Sequence, residues 1–198
     1  AMAENNKEQL KELIQGLAQQ QNPEGSVAQK VNDLYLQGLD SVRLNNEGAT
    51  PIKADLETIN SAKKDELMDI LAWLHANGLA SPFFNEGVDA DLMNSNENTL
   101  YFMEAGLGLR ERDYYIENDS NSMKIRNAYV DFVNKMFTLS GYEAARAEEA
   151  TANVMKIETE LAQEAMNHEE QRDMAGQYNP LKVKQMKKDY PNIDWNLL

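Results

Sequence analysis

The fold class of this chain is decided by the stretch SNSMKIRNAYVDFVNKMFTLSG, residues 120–141. Its apolar side chains recur three and four residues apart, which places them along one face of an α-helix. They are Ile125, Ala128, Tyr129, Phe132, Val133, Met136 and Phe137. Gly141 then supplies the left-handed residue that commonly follows a helix. The stretch therefore predicts a long amphipathic helix.

Helical spacing extends in both directions from this stretch. Towards the N-terminus it predicts one helix from Glu4 to Gln21 and a second from Ser26 through Leu39 towards Val42. A short third helix is predicted after an N-cap at Thr50-Pro51. A fourth is predicted from Ser61 to a C-terminal cap at Asn77-Gly78. Towards the C-terminus it predicts a helix from Tyr142 to Asn167, with Ala150, Val154, Ile157 and Leu161 facing inward, and a short helix from Asn179-Pro180 to Tyr190-Pro191.

The segment between Ser81 and Leu109 has a different character, because Gly, Asn and Asp cluster there. Val88 and residues 99–102 predict two short strands around a turn at Asn94-Ser95-Asn96. The predicted fold is therefore mostly all-α, a domain of about six or seven helices with one small β-hairpin.

Composition limits the partners of this chain. Its 198 residues carry a formal net charge of -14, which repels phosphate backbones and anionic headgroups. No stretch reaches the run of about 18 apolar residues that a membrane span needs. We therefore predict no nucleic-acid binding and no direct membrane insertion by this segment. The absence of cysteine excludes disulfides and thiolate chemistry but leaves the cellular compartment open.

The residues required for metal-dependent hydrolysis are missing from the sequence. A thermolysin-like zinc site needs two histidines four residues apart on a helix. The chain has His75 and His168, and Arg172 stands where the second histidine would follow His168. His75 continues an apolar helical stripe and is predicted to be partly buried and hydrogen-bonded. We predict no catalytic residue, no cofactor-binding residue and no metal ligand.

Two weaker signals keep more than one interpretation. Asp89, Asp91 and Asn94 resemble a calcium loop only loosely, so a solvated turn is the favoured interpretation. The block of residues 110–115, Arg-Glu-Arg-Asp-Tyr-Tyr, is dense in arginine and aromatic side chains. We expect it to lock a loop against helices, and the alternative is that it faces a ligand.

These motifs resemble the neprilysin and endothelin-converting-enzyme family of zinc metallopeptidases. The resemblance rests on an Asn-Ser pair, a Gly-Leu-x-Leu turn and an Arg-Asp-Tyr-Tyr block, with an arginine further on, and Arg110 replaces the usual proline. The matching residues are Asn94, Ser95, Gly106, Leu107, Arg112, Asp113, Tyr114, Tyr115 and Arg172. We expect their role to be structural.

The resemblance implies that residues 4–198 form the helical, non-catalytic lobe of a bacterial metalloendopeptidase, which limits access to small peptides. Residues 1–3 are interpreted as a cloning junction. The catalytic lobe of the same polypeptide would hold zinc beyond Leu198, and the fragment alone would be inactive. Peptide substrates, an extracytoplasmic location and an apolar patch facing the missing lobe are further expectations. The alternative is a free-standing acidic helical module that binds a protein partner.

Overall fold

The computed structural model describes residues 2–197, and these confirm a mostly helical fold with one hairpin. Over that range the chain forms nine α-helices and two strands. In order they are α1 (Met2–Ala18), α2 (Val27–Leu39), α3 (Ser41–Glu47), α4 (Lys53–Ser61), α5 (Leu67–Ala76), β1 (Phe84–Ala90), β2 (Asn98–Glu104), α6 (Asp113–Ile116), α7 (Ser120–Leu139), α8 (Ala144–Glu164) and α9 (Val183–Asp189). Single 3-10 turns lie at Thr50–Ile52, Lys64–Glu66 and Glu170–Arg172.

The chain divides into two compact units, of which the first ends at Ile52. Within it α1 packs against α2. The predicted helix from Ser26 towards Val42 is wrong in one respect, because it is two helices separated at Asp40. The Asp40 carboxylate accepts a hydrogen bond from the Arg43 backbone N–H at 2.9 Å. Asp40 therefore caps a new helix where the apolar pattern alone suggested continuation.

The second unit begins at Lys53, and its first two helices differ from the prediction. Ser61 ends α4 instead of opening the next helix, and its hydroxyl donates to the Thr58 carbonyl at 3.0 Å. Helix α5 starts at Leu67, after a 3-10 turn in which the Glu66 carboxylate accepts from the Lys63 N–H. Its end is as predicted, because Gly78 adopts the left-handed conformation with φ of 61°.

Strands β1 and β2 confirm the predicted hairpin. They pair antiparallel from Phe84 opposite Glu104 to Ala90 opposite Asn98. The turn is closed by the Asp91 N–H, which donates to the Glu97 carbonyl at 2.8 Å. Near the C-terminus, α9 begins at Val183, later than the predicted start at Asn179-Pro180, and it ends before Tyr190 as predicted.

The best-buried part of the second unit lies where α6, α7 and α8 pack together. Its buried side chains are Tyr115, Ser122, Val133, Ala147, Thr151 and Ala162. Small side chains on α8 let the neighbouring helices approach closely. The prediction that Ile157 faces inward is wrong, because 51% of it is exposed. Among the described helices, none is both long and apolar enough to span a lipid bilayer.

Candidate functional site

The loop after β2 is held close to its surroundings at two glycines. Gly106 has φ of +92°, and a Cβ atom there would collide with the Pro82 carbonyl. A Cβ atom on Gly108 would collide with the Tyr129 hydroxyl and lie 3.2 Å from Glu158 Oε1. Leu107, between them, is half-buried. Glycine is therefore required at both positions by backbone conformation or by space.

Glu158 on α8 lies between two tyrosine hydroxyls. Tyr115 donates to Glu158 Oε2 at 2.6 Å, and Tyr129 donates to Glu158 Oε1 at 3.0 Å. The Tyr115 oxygen also accepts a hydrogen bond from the Leu109 N–H at 2.7 Å. One carboxylate thus joins the loop, α6, α7 and α8 in a single hydrogen-bonded cluster, which we call the Glu158 cluster.

The surroundings of the Glu158 cluster keep both phenols protonated. Burial, reinforced by the hydrogen bond to Glu158, raises the pKa of Tyr115 well above its ordinary value. Burial and the negative charge of Glu158 raise the pKa of Tyr129 to about 12. The tyrosines act as hydrogen-bond donors to the carboxylate and offer no phenolate as a base or nucleophile near neutral pH. The cluster holds its protons in place, which suits a structural role.

Two arginines fix the rest of the Arg-Asp-Tyr-Tyr block. Arg112 Nη1 donates to the carbonyl of Ala165, at the C-terminal end of α8, at 2.7 Å. A cation is favourable at this end of the helix dipole. Arg126 on α7 donates through Nε to the Tyr114 carbonyl at 2.7 Å. Asp113 begins α6, where a negative charge suits the helix N-terminus.

The remaining motif residues lie away from this block. Asn94 and Ser95 form the exposed end of the hairpin, where the Asp91 carboxylate accepts the Met93 and Asn94 N–H groups and the Tyr178 hydroxyl. The Met93 hydrogen bond is the main cause that lowers the pKa of Asp91. Arg172 is exposed in a 3-10 turn. The structure thus gathers residues 106–115 into one site and leaves Asn94, Ser95 and Arg172 outside it.

Comparison with known proteins places this architecture in a family. The sequence model of the N-terminal region of Peptidase family M13 matches residues 1–198, the whole chain. The chain belongs to peptidase family M13. The resemblance to neprilysin and endothelin-converting enzyme is thereby confirmed.

Individual relatives of this M13 chain agree with the assignment. Endothelin-converting enzyme 1 of Cavia porcellus is 28% identical over 193 residues, which cover 92% of this chain and 25% of the relative. The zinc metalloprotease Zmp1 of Mycobacterium tuberculosis, in an open state, superposes with a TM-score of 0.81 at 27% identity. That match covers 98% of this chain and 30% of Zmp1. The M13 chain therefore spans about a quarter to a third of the length of these relatives.

A more distant structure shares the fold alone. PepO of Lactobacillus rhamnosis superposes with a TM-score of 0.77 at 15% identity, over 94% of this chain and 30% of PepO. The helical arrangement is thus retained where few identical residues remain.

The described residues of the M13 chain do not fit a zinc ion. Zinc needs at least three protein ligands, and no group of three or more His, Asp or Glu side chains in residues 2–197 is arranged to hold a metal. His75 is partly buried and hydrogen-bonded, as predicted, with Nδ1 2.5 Å from Glu86 Oε2. His168 instead contacts Glu111, with Nε2 and Oε2 3.1 Å apart.

Sequence reasoning missed Glu158 as a member of the site. A signal was present, because Glu158 follows Thr151 and Val154 at helical spacing and so falls on the inward face of α8. A lone carboxylate on such a face requires hydrogen-bond donors from elsewhere in the fold. Two tyrosine hydroxyls meet that requirement in this M13 chain.

Proposed function

We propose that this chain is the non-catalytic helical lobe of a zinc metalloendopeptidase, covering residues 4–198. It would enclose the active-site cavity and restrict access to small peptides. The proposal rests on one observation. The entire chain matches the N-terminal region of the family's proteins, and this chain corresponds to 30% of Zmp1. The partner of this lobe would be the catalytic lobe of the same polypeptide.

In the parent enzyme, zinc would activate water for peptide-bond hydrolysis, and its ligands would come from the catalytic lobe. The described residues offer no comparable set of ligands, which supports a shaping role for this lobe. We propose the same structural role for Gly106, Leu107, Arg112, Asp113, Tyr114 and Tyr115, because their described contacts are internal to the fold. Following the family resemblance, we also propose an extracytoplasmic location for the parent.

The experiment is a size series on the parent enzyme. One cleavable sequence is presented as a short peptide, within longer unfolded chains and within a folded domain, and kcat/KM is measured for each. We expect kcat/KM to fall as the substrate grows and to be lowest for the folded domain. Equal kcat/KM across the series would contradict an access filter.

A second measurement isolates this chain. The purified chain is incubated with zinc and a quenched fluorescent peptide, with and without a chelator, beside the parent enzyme as positive control. We expect chelator-sensitive turnover from the parent alone. Turnover by the isolated chain would contradict the non-catalytic assignment. Sequencing a gene whose reading frame is confined to these residues would favour the alternative, a free-standing acidic helical module that binds a protein partner.

A further inference from the structure

An open groove of about 630 Å³ lies between β2 and residues 176–195, within the second unit. We call it the β2 groove. Its volume falls within the range of roughly 300–1,000 Å³ that is usual for ligand pockets. Phe102, Met103, Met186, Tyr190 and Trp195 give it an apolar lining rich in aromatic and methionine side chains. Such a lining accommodates bulky apolar groups of varied shape.

The groove runs along the free edge of β2. All six residues from 99 to 104 line it. Because successive side chains in a strand point to opposite faces, a groove on one face would contact alternate residues. Phe84 of β1, whose ring packs against Phe102, also lines the groove, so part of the groove lies on that face of the hairpin. Contact with consecutive residues of β2 indicates that the groove continues around the edge of the strand opposite β1.

The backbone at this edge has unused hydrogen-bonding groups. The Asp91 N–H donates to the Glu97 carbonyl, and the Ala105 N–H donates to the Phe83 carbonyl. In an antiparallel pair, successive residues direct their backbone N–H and C=O groups alternately towards the partner strand and away from it, and these two bonds show which residues do which. This alternation directs the backbone groups of Leu100, Phe102 and Glu104 away from β1. Within residues 2–197 these groups have no hydrogen-bond partner. They can therefore pair with a third strand.

Negative charge lies at both ends of the groove. Asp91 lies near the turn. Glu104 is the last residue of β2 and lies roughly 17 Å along the extended strand from Thr99, the first residue of β2 that lines the groove. Glu104 accepts hydrogen bonds from the Met166 N–H and from Gln171 Nε2, both neutral donors. Asp91 accepts from the neutral Tyr178 hydroxyl. The described lining contains neither lysine nor arginine, so no cation of the groove itself pairs with these carboxylates.

We propose that the β2 groove binds an extended peptide of about five or six residues as a third strand. Its apolar side chains would enter the aromatic lining, and basic residues at its ends would pair with Asp91 and Glu104. This assignment deepens the proposed function and rests on it, because the peptide would be a substrate segment held away from the zinc site. The preferred substrates would then be apolar in the middle and basic at the ends.

The test measures binding to the full chain, without hydrolysis. The probe is a fluorescently labelled peptide Lys-Val-Phe-Val-Phe-Lys, followed by anisotropy. An N-methylated analogue cannot form strand hydrogen bonds, and an analogue with Asp at both ends reverses the charge. We expect saturable binding, weakened about tenfold by N-methylation and several-fold by the charge reversal.

Matched variants locate the peptide on the molecule. Leu100→Pro removes one edge N–H, and Leu100→Ala removes the side chain but keeps that N–H. Glu104→Gln removes a charge from the groove, whereas Asp89→Asn removes one from β1. We expect Leu100→Pro to bind about two- to tenfold more weakly than Leu100→Ala. Glu104→Gln should weaken binding about two- to fivefold, and Asp89→Asn should leave it unchanged.

Several results would overturn the proposal. They are the absence of saturable binding, equal affinity for the N-methylated peptide, and equal effects of Glu104→Gln and Asp89→Asn. Dimerisation of the chain blocked by Leu100→Pro would assign the edge to a second copy. Slow amide exchange at Leu100 and Phe102 in the parent without peptide would assign it to a strand of the same polypeptide. None of these results affects the size series or the turnover assay, so the two proposals can fail separately.

Discussion

Tyr115 is the residue whose hydroxyl carries both hydrogen bonds between the loop and α8, one accepted from Leu109 and one donated to Glu158. Tyr115→Phe keeps the ring but leaves the partly buried Leu109 N–H and one oxygen of the Glu158 carboxylate without this partner. We expect the free energy of unfolding to fall by about 1–3 kcal/mol, measured by urea denaturation. Tyr114→Phe is the control, because that hydroxyl makes no hydrogen bond with any of the described residues. Equal destabilisation by both variants would contradict the role assigned to the Glu158 cluster.

Tyr129 gives the same cluster a dependence on alkaline pH. Its pKa is raised from 10.0 to about 12 in the folded state. Its contribution to stability is therefore complete below pH 10 and is lost as the pH rises towards 12, because the unfolded chain releases the proton first. We expect the urea midpoint to fall over this window, and less steeply in Tyr129→Phe. Tyr190→Phe removes an exposed phenol and should keep the steeper fall. An unchanged slope in Tyr129→Phe would contradict this prediction.

Elements were predictable from sequence where their signals are local. Helix α7 carries a continuous apolar stripe ended by Gly141, and the hairpin has turn residues between two short apolar runs, so both were found. The break at Asp40 was missed because Leu39 and Val42 continue the apolar pattern across it. A single capping hydrogen bond from Arg43 outweighs that pattern. Competition between a cap and a periodic face depends on tertiary packing, which spacing alone does not contain.

The candidate site was predictable in its loop half and not in its helix half. Gly106, Arg112 and Tyr115 belong to one contiguous motif, so a single stretch of sequence indicates them. Glu158 lies 43 residues beyond Tyr115, and the close packing of α6 on α8 brings the two together. The error at Ile157 has the same origin, because α8 turns its neighbour Glu158 inward and leaves 51% of Ile157 exposed.

At the scale of the whole molecule, many large apolar side chains face outward. On α7 the residues Phe132, Met136 and Leu139 are 56%, 44% and 61% exposed. They follow one another at helical spacing and so form one stripe. Contiguous apolar surface on a soluble protein marks a contact with another molecule or domain. The expected patch facing a partner lobe would include this stripe if the proposed function holds.

The exposed stripe leads to a prediction that separates an interface from a core. Met136→Lys combined with Leu139→Lys should reduce the fluorescence of a bound hydrophobic dye, and it leaves in place Phe132, whose ring stacks on Tyr129. It should change the free energy of unfolding of the isolated chain by at most about 0.5 kcal/mol, because exposed positions contribute little to folding. In the parent enzyme the same pair should lower the thermal midpoint, since a charge would be buried against the partner lobe. Asn127→Lys, an exposed substitution elsewhere on α7, is the control and should change none of these quantities. Strong destabilisation of the isolated chain by the lysine pair would show that the stripe belongs to the folded core and not to an interface.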